Sequence, residues 1–218
     1  MWTWSLNWGD ITSQIVIGTC PMTSADLKRI QSETGVSAVL SLQHDDCLAY
    51  WGIDYGAMCR SGTEFGLEME RIPIRDLNVP DMRRQLPAAI SMLAHLVTSD
   101  RRTYVHCTAG LGRAPLTVLG YLILVENISP ADAIRLILAG RPGAVPAWEA
   151  FYGACEDLVA INRHVIERRA YGLYKLGIHQ DAVADWRHAQ TEVLRAVLTD
   201  GPILKHYSVR ETVLNLDY

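Results

Sequence analysis

The chain predicts an α/β fold: a central, mostly parallel sheet flanked by helices, extended by a C-terminal helical hairpin. Three observations carry this. Short apolar runs of strand length alternate with amphipathic helical segments through the first half of the chain. Helices dominate the rest. The composition, 49% apolar and 20% charged over 218 residues, belongs to a folded chain that buries a core, which excludes disordered and collagen-like classes.

Residues 14–18 (QIVIG) read as a strand closed by Gly18 and Pro21. Thr23, with Asp26 in the first turn, starts a helix that runs to Glu33 and stops at Gly35. Residues 36–42 (VSAVLSL) form a buried strand. Residues 43–54, with Tyr50 and Trp51, read as an irregular loop, followed by a short helix and a strand over 67–74. Asp81 is placed as the cap of a helix over 82–98, whose apolar face is Leu86, Ala89, Ile90, Leu93, Leu96 and Val97.

Residues 103–106 (TYVH) make a strand that enters a glycine-containing loop, 107–113. A long apolar helix to about Glu126 follows, with Pro115 tolerated in its first turn. Ser129, Pro130 and Asp132 open the next helix, which ends at Gly140. A further helix covers 147–161. The character changes near Asn162, so we divide the chain into a catalytic domain, 1–162, and a small helical appendage, 163–218. Helices are expected over 163–176 and 181–198, and a weakly alternating tail over 201–218 allows a short strand. Tyr171, Tyr174 and Trp186 are expected to meet in the core between the two helices.

A formal charge of −4 offers no global positive field for nucleic acid or an anionic membrane. The longest apolar stretch, 114–125, is too short to span a bilayer. The first ten residues lack the basic flank and apolar run of a signal peptide. Five scattered cysteines with no CxxC pair argue against a disulfide framework or structural zinc and fit a reducing, cytoplasmic setting. The seven histidines show no HxH or HxxxH spacing, so no metal and no cofactor are expected at the site.

The informative stretch runs from His106 to Pro115 (HCTAGLGRAP). A cysteine at the end of a buried strand, followed by a small-residue loop and a helix, is placed to hold an anion on backbone N–H groups and the helix N-terminus. Gly110 and Gly112 are expected to supply unusual dihedrals. Thr108, Ala109, Gly110, Leu111 and Gly112 would cradle the phosphate, and Arg113 would clamp two of its oxygens. Such a field lowers a thiol pKa to ~3.5–7.5, which makes Cys107 a nucleophile. His106 is expected to support the loop through a hydrogen bond. Attack on phosphorus needs an acid for the leaving oxygen, and Asp76, just after a predicted strand, is the candidate. That placement assumes the strands leading to Asp76 and Cys107 are neighbours. Asp81 is the rival.

His106–Arg113 with Asp76 resembles the dual-specificity branch of the cysteine-dependent phosphatases. With residues 15–18, 42–46, 50–54 (YWGID) and 74–77 (IRDL), the chain is more similar still to the glucan phosphatases, the group of laforin and the plant starch-excess enzymes. The resemblance covers about Trp8 to Ala160. It implies a dual-specificity phosphatase fold and hydrolysis of phosphate monoesters on an α-glucan, glycogen or a starch-like polymer, through a cysteinyl-phosphate. Cys107 would be the nucleophile, Arg113 the phosphate clamp and Asp76 the acid, then the base. Tyr50, Trp51 and Leu77 would contact glucan.

Leu77 stands where plant relatives tend to carry an aromatic, and Ala114 replaces the Ser or Thr common in protein phosphatases. The neutral loop, 108–112, suits a single phosphate on an uncharged chain. A protein tyrosine/serine phosphatase and a binding adaptor with a weak catalytic loop are the alternatives. Residues 166–174 and 185–190 resemble a small helical domain of bacterial proteins, whose helices offer a surface to a protein partner.

Overall fold

The computed structural model describes residues 3–179 and 181–200. The elements in chain order are β1 (Trp8–Asp10), β2 (Ile15–Gly18), α1 (Ser24–Thr34), β3 (Ala38–Gln43), α2 (Asp45–Trp51), α3 (Tyr55–Glu64), β4 (Glu68–Ile74), α4 (Val79–Thr98), β5 (Thr103–His106), α5 (Arg113–Leu124), α6 (Pro130–Gly140), α7 (Trp148–Lys175) and α8 (Ala182–Thr199).

The sheet order is β1-β2-β5-β3-β4. The β2–β5, β5–β3 and β3–β4 pairs are parallel, and β1 adds an antiparallel edge. The α/β architecture is therefore the expected one. Alternate residues of the inner strands feed opposite cores, as the two-residue strand period requires. Ile17, Leu40 and Val105 join the large core with α4 and α5, while Val16, Val39 and Tyr104 join a smaller one with Leu27, Ile30 and Met58. Both faces are covered, which is why these strands read as unbroken apolar runs. All four parallel strands end on one edge, and that edge carries the site.

Helix boundaries follow local chemistry. Thr23 and Asp26 close a reciprocal capping box on α1, and Gly35 ends it at φ +69°. Ser129 caps α6, with Pro130 at its first position. Among the described residues no helix is long and apolar enough to cross a membrane.

Several expectations are corrected. Residues 45–51 form helix α2 rather than an irregular loop. His44 caps it, Asp45 and Asp46 sit at its positive end, and Gly52 terminates it in the left-handed region. Asn78, not Asp81, caps α4 by accepting from the Asp81 N–H. Asp81 lies buried in the first turn and accepts from the Arg75 N–H at 2.7 Å, which fixes the turn after β4. The helices expected over 147–161 and 163–176 are one, α7, which runs unbroken through residue 162. Buried Asn162 is tolerated there because its Nδ2 donates to the Leu158 carbonyl at 2.8 Å.

The α7–α8 hairpin packs around Leu158, Val165, Ile166, Val193, Leu194 and Val197, with Trp186 at its margin. Tyr171 and Tyr174 instead face outward, 59% and 61% exposed, so the expected three-aromatic core does not form. Strand β1 went unread because two half-buried residues and an exposed aspartate carry no alternation. The tail strand considered at 201–218 lies outside the described residues.

Candidate active site

Strand β5, fully buried at the centre of the sheet, delivers Cys107 to the carboxyl edge, where the cysteine is 3% exposed. The loop from Cys107 to Gly112 then turns into α5. Every carbonyl along it is taken by a donor on the outside. His106 Nδ1 meets the Cys107 carbonyl at 3.0 Å. The Cys20 N–H donates to Thr108 O at 3.0 Å, and the Val145 N–H to Leu111 O at 2.7 Å. Arg141 donates to Ala109 O at 2.7 Å and to Gly110 O at 3.2 Å. The Leu116 N–H closes the first turn of α5 on Gly112 O at 3.0 Å.

In a planar trans peptide the N–H of the next residue points opposite to the carbonyl. Six carbonyls held outward therefore turn the following amides inward. The N–H groups of Thr108, Ala109, Gly110, Leu111 and Gly112 donate to no described residue. Together with the α5 N-terminus they make a nest of free amides beside Cys107, an arrangement with the chemistry to hold an anion. Gly110 needs to be glycine twice over: its φ is +68°, and a Cβ would lie 2.4 Å from the Gly18 carbonyl oxygen. Gly112 departs from expectation, since its φ is −113° and a Cβ there would meet open space.

Arg113 is 1% exposed and held on several sides. Its Nη1 donates to Ile74 O at 2.9 Å and approaches Cys47 Sγ at 3.4 Å, and its Nη2 donates to Thr108 Oγ1 at 3.2 Å. Burial works against its charge, but Cys107, Asp76 and Cys47 outweigh burial and hold the guanidinium above its ordinary pKa. Asp76 Oδ1 lies 3.1 Å from Nε, yet Nε is left without a hydrogen bond, so this buried N–H is a donor still to be satisfied.

The assumption that β4 and β5 adjoin is corrected, because β3 lies between them. Asp76 reaches the site through Arg113 instead. The turn carrying it includes Leu77 at φ +53°, an unusual conformation for leucine, and Leu77 is 92% exposed. Tyr50 and Trp51 sit on α2, three and four residues after Cys47, which touches Arg113. Tyr50 is 81% exposed and packs edge-on against Trp51.

His106 is enclosed and its pKa is lowered to about 4, first by burial. It is a neutral imidazole whose Nδ1–H serves the Cys107 carbonyl. Burial, then the neighbouring Cys107, pushes the Cys20 thiol up to about 12. Sequence reading missed Arg141, which alone holds two loop carbonyls and also donates to Asn7 Oδ1. No motif marks it; only the fold returns it to the loop. Among the described residues no group of three or more His, Cys, Asp or Glu could hold a metal.

A cysteine under an amide nest, with a buried arginine and an acid beside it at the carboxyl edge of a parallel sheet, defines the class of the cysteine-dependent phosphatases. The chain belongs to the dual specificity phosphatase family, whose catalytic domain matches residues 21–152. It is 31% identical over 71% of its length to "Phosphoglucan phosphatase DSP4, amyloplastic" of Castanea sativa, and 30% identical over 72% to "Phosphoglucan phosphatase LSF1, chloroplastic" of Arabidopsis thaliana. The chain spans 41% and 26% of these two relatives' own lengths. A solved structure of Tk-PTP in the active form shares the fold, with a TM-score of 0.56 at 23% identity over 68% of this chain and 94% of that one.

Proposed function

We propose that the protein removes phosphate monoesters from an α-glucan, glycogen or a starch-like polymer. The observation that carries this reading is the character of the nest: residues 108–112 are uncharged and Arg113 is the cation within it. Such a nest answers one phosphate on a neutral polymer better than a multiply charged headgroup. The two relatives named as phosphoglucan phosphatases support it. So does the helix beside Arg113, whose Tyr50 and Trp51 offer ring faces with polar edges to a sugar chain. Exposed Leu77 would extend that contact.

The reaction has two steps. The Cys107 sulfur attacks phosphorus in line while Arg113 and the amides of Thr108–Gly112 hold the equatorial oxygens. The bond to the sugar oxygen breaks, and Asp76 gives that oxygen a proton. A dianionic substrate draws Arg113 toward itself and frees Asp76 from the guanidinium. Asp76 then takes a proton from the water that cleaves the sulfur–phosphorus bond, and inorganic phosphate leaves. Residues 1–162 would carry this chemistry and 163–218 would form an appendage open to a protein partner. A cytoplasmic setting and the lack of a nucleic-acid partner complete the reading.

Phosphate release from phosphorylated amylopectin or glycogen, from a phosphotyrosyl peptide and from a phosphoinositide tests it. Release chiefly from the glucan, lost in Cys107→Ser, is expected. Release from the peptide alone would make the protein a protein phosphatase, and no release at all would leave a binding adaptor.

A further inference from the structure

We infer that Asn7 is a positioning residue of the phosphatase reaction, and that its task is to seat Arg141 behind the phosphate loop as an uncancelled cation. Asn7 lies in the segment that leads into β1, ahead of the residues matched to the family's catalytic domain. Three of the six loop carbonyls are held from this side. The Cys20 N–H takes Thr108 O, and Arg141 takes Ala109 O and Gly110 O. Asn7 stands behind both holds.

The first route runs through the backbone. The Asn7 N–H donates to Thr19 Oγ1 at 3.1 Å, and the Thr19 N–H donates to Asn7 O at 3.0 Å. Buried Tyr104 donates to Thr19 O at 2.8 Å, on the trans peptide whose N–H, that of Cys20, points at Thr108 O. A side-chain change at residue 7 leaves this route in place.

The second route is the side chain. Asn7 Nδ2 donates at 2.8 Å to the Ser5 carbonyl, which only accepts. Oδ1 is thereby turned the other way, onto Arg141 Nη1, which only donates. Arg141 is 8% exposed, and among the described residues none of its hydrogen bonds goes to a carboxylate. Its acceptors are three neutral oxygens: Ala109 O, Gly110 O and Asn7 Oδ1. Burial pulls its pKa down, and the nearby Tyr104 and Cys107 work against that pull. A buried guanidinium held by dipoles alone keeps its field, and that field reaches the nucleophile and any phosphate above it. A carboxylate at residue 7 would make the same hydrogen bond and cancel the field. Asparagine gives the acceptor without the charge.

This role rests on the phosphate-cleaving site and not on the polymer reading, so an aryl phosphate and inorganic phosphate are the probes. Asn7 is exposed and belongs to neither sheet core. Asn7→Leu leaves Arg141 Nη1 without its acceptor. It should lower the urea midpoint, cut kcat on the aryl phosphate about 10–100-fold and weaken inhibition by phosphate about tenfold. Asn7→Asp restores the acceptor but pairs the charge. It should return the urea midpoint to that of the wild type while inhibition by phosphate stays about tenfold weak. Midpoint and inhibition constant recovering together in Asn7→Asp would make Asn7 merely structural and overturn the inference, as would wild-type kinetics in Asn7→Leu. A wild type inert toward the aryl phosphate would overturn the phosphatase reading, and this role with it.

Discussion

Asp76 Oδ1 lies 3.1 Å from Arg113 Nε although the strands leading to the two residues are not neighbours. The contact spans β3 because the Arg113 side chain crosses beneath the carboxyl edge and donates to the Ile74 carbonyl, two residues before Asp76. The proposed acid and the proposed clamp are thereby tied to one another, and on the proposed mechanism a bound phosphate divides them. Four consequences can be measured.

Asp76→Ala should slow release from sugar phosphates by about 10²–10⁴-fold. Release from an aryl phosphate, whose leaving group needs no proton, should fall far less. Steady-state rates on the two substrates decide this, and equal slowing would remove Asp76 from the acid role.

Arg141→Met should free the carbonyls of Ala109 and Gly110 and let the nest relax. Given how steeply rate depends on placement, turnover should fall about 10²-fold. Competitive inhibition by inorganic phosphate should weaken with it. An unchanged inhibition constant would mean that the loop keeps its shape without this side chain.

Enclosed His106 makes stability depend on pH. Its folded pKa, about 4, lies below the ordinary 6.5. Above 6.5 neither state binds the proton and its contribution is fully present. As pH falls from 6.5 toward 4 the unfolded chain takes up the proton first, and stability drops by about 3 kcal/mol. Urea midpoints measured between pH 7.5 and 4.5 should show this loss, and His106→Asn should flatten the part due to this residue.

Trp51→Ala should lower turnover of phosphorylated glucan while sparing a small aryl phosphate. Parallel loss on both substrates would make the ring a structural support for α2.

The order of strands and helices could be read from the chain because its signals are local: buried runs such as 36–42 and caps such as Thr23 and Ser129. The His106–Arg113 loop was legible for the same reason, since one short segment holds nearly all of it. What escaped depends on distance through the fold. Strand β3 inserts between β4 and β5, and no pattern within either strand announces that. Arg141 acts on carbonyls 31 and 32 residues behind it. Helix α2 was hidden by its shortness, and the continuity of α7 by an asparagine that finds its partner one turn back.

The most direct test follows phosphate itself. Asp76→Ala given a radiolabelled aryl phosphate and quenched in acid should carry label on the peptide containing Cys107, because attack proceeds without the acid while hydrolysis of the intermediate waits for the base. The double change Asp76→Ala, Cys107→Ser should carry none. Label on another residue, or turnover with no covalent label at any time, would contradict attack by Cys107 from the floor of the nest.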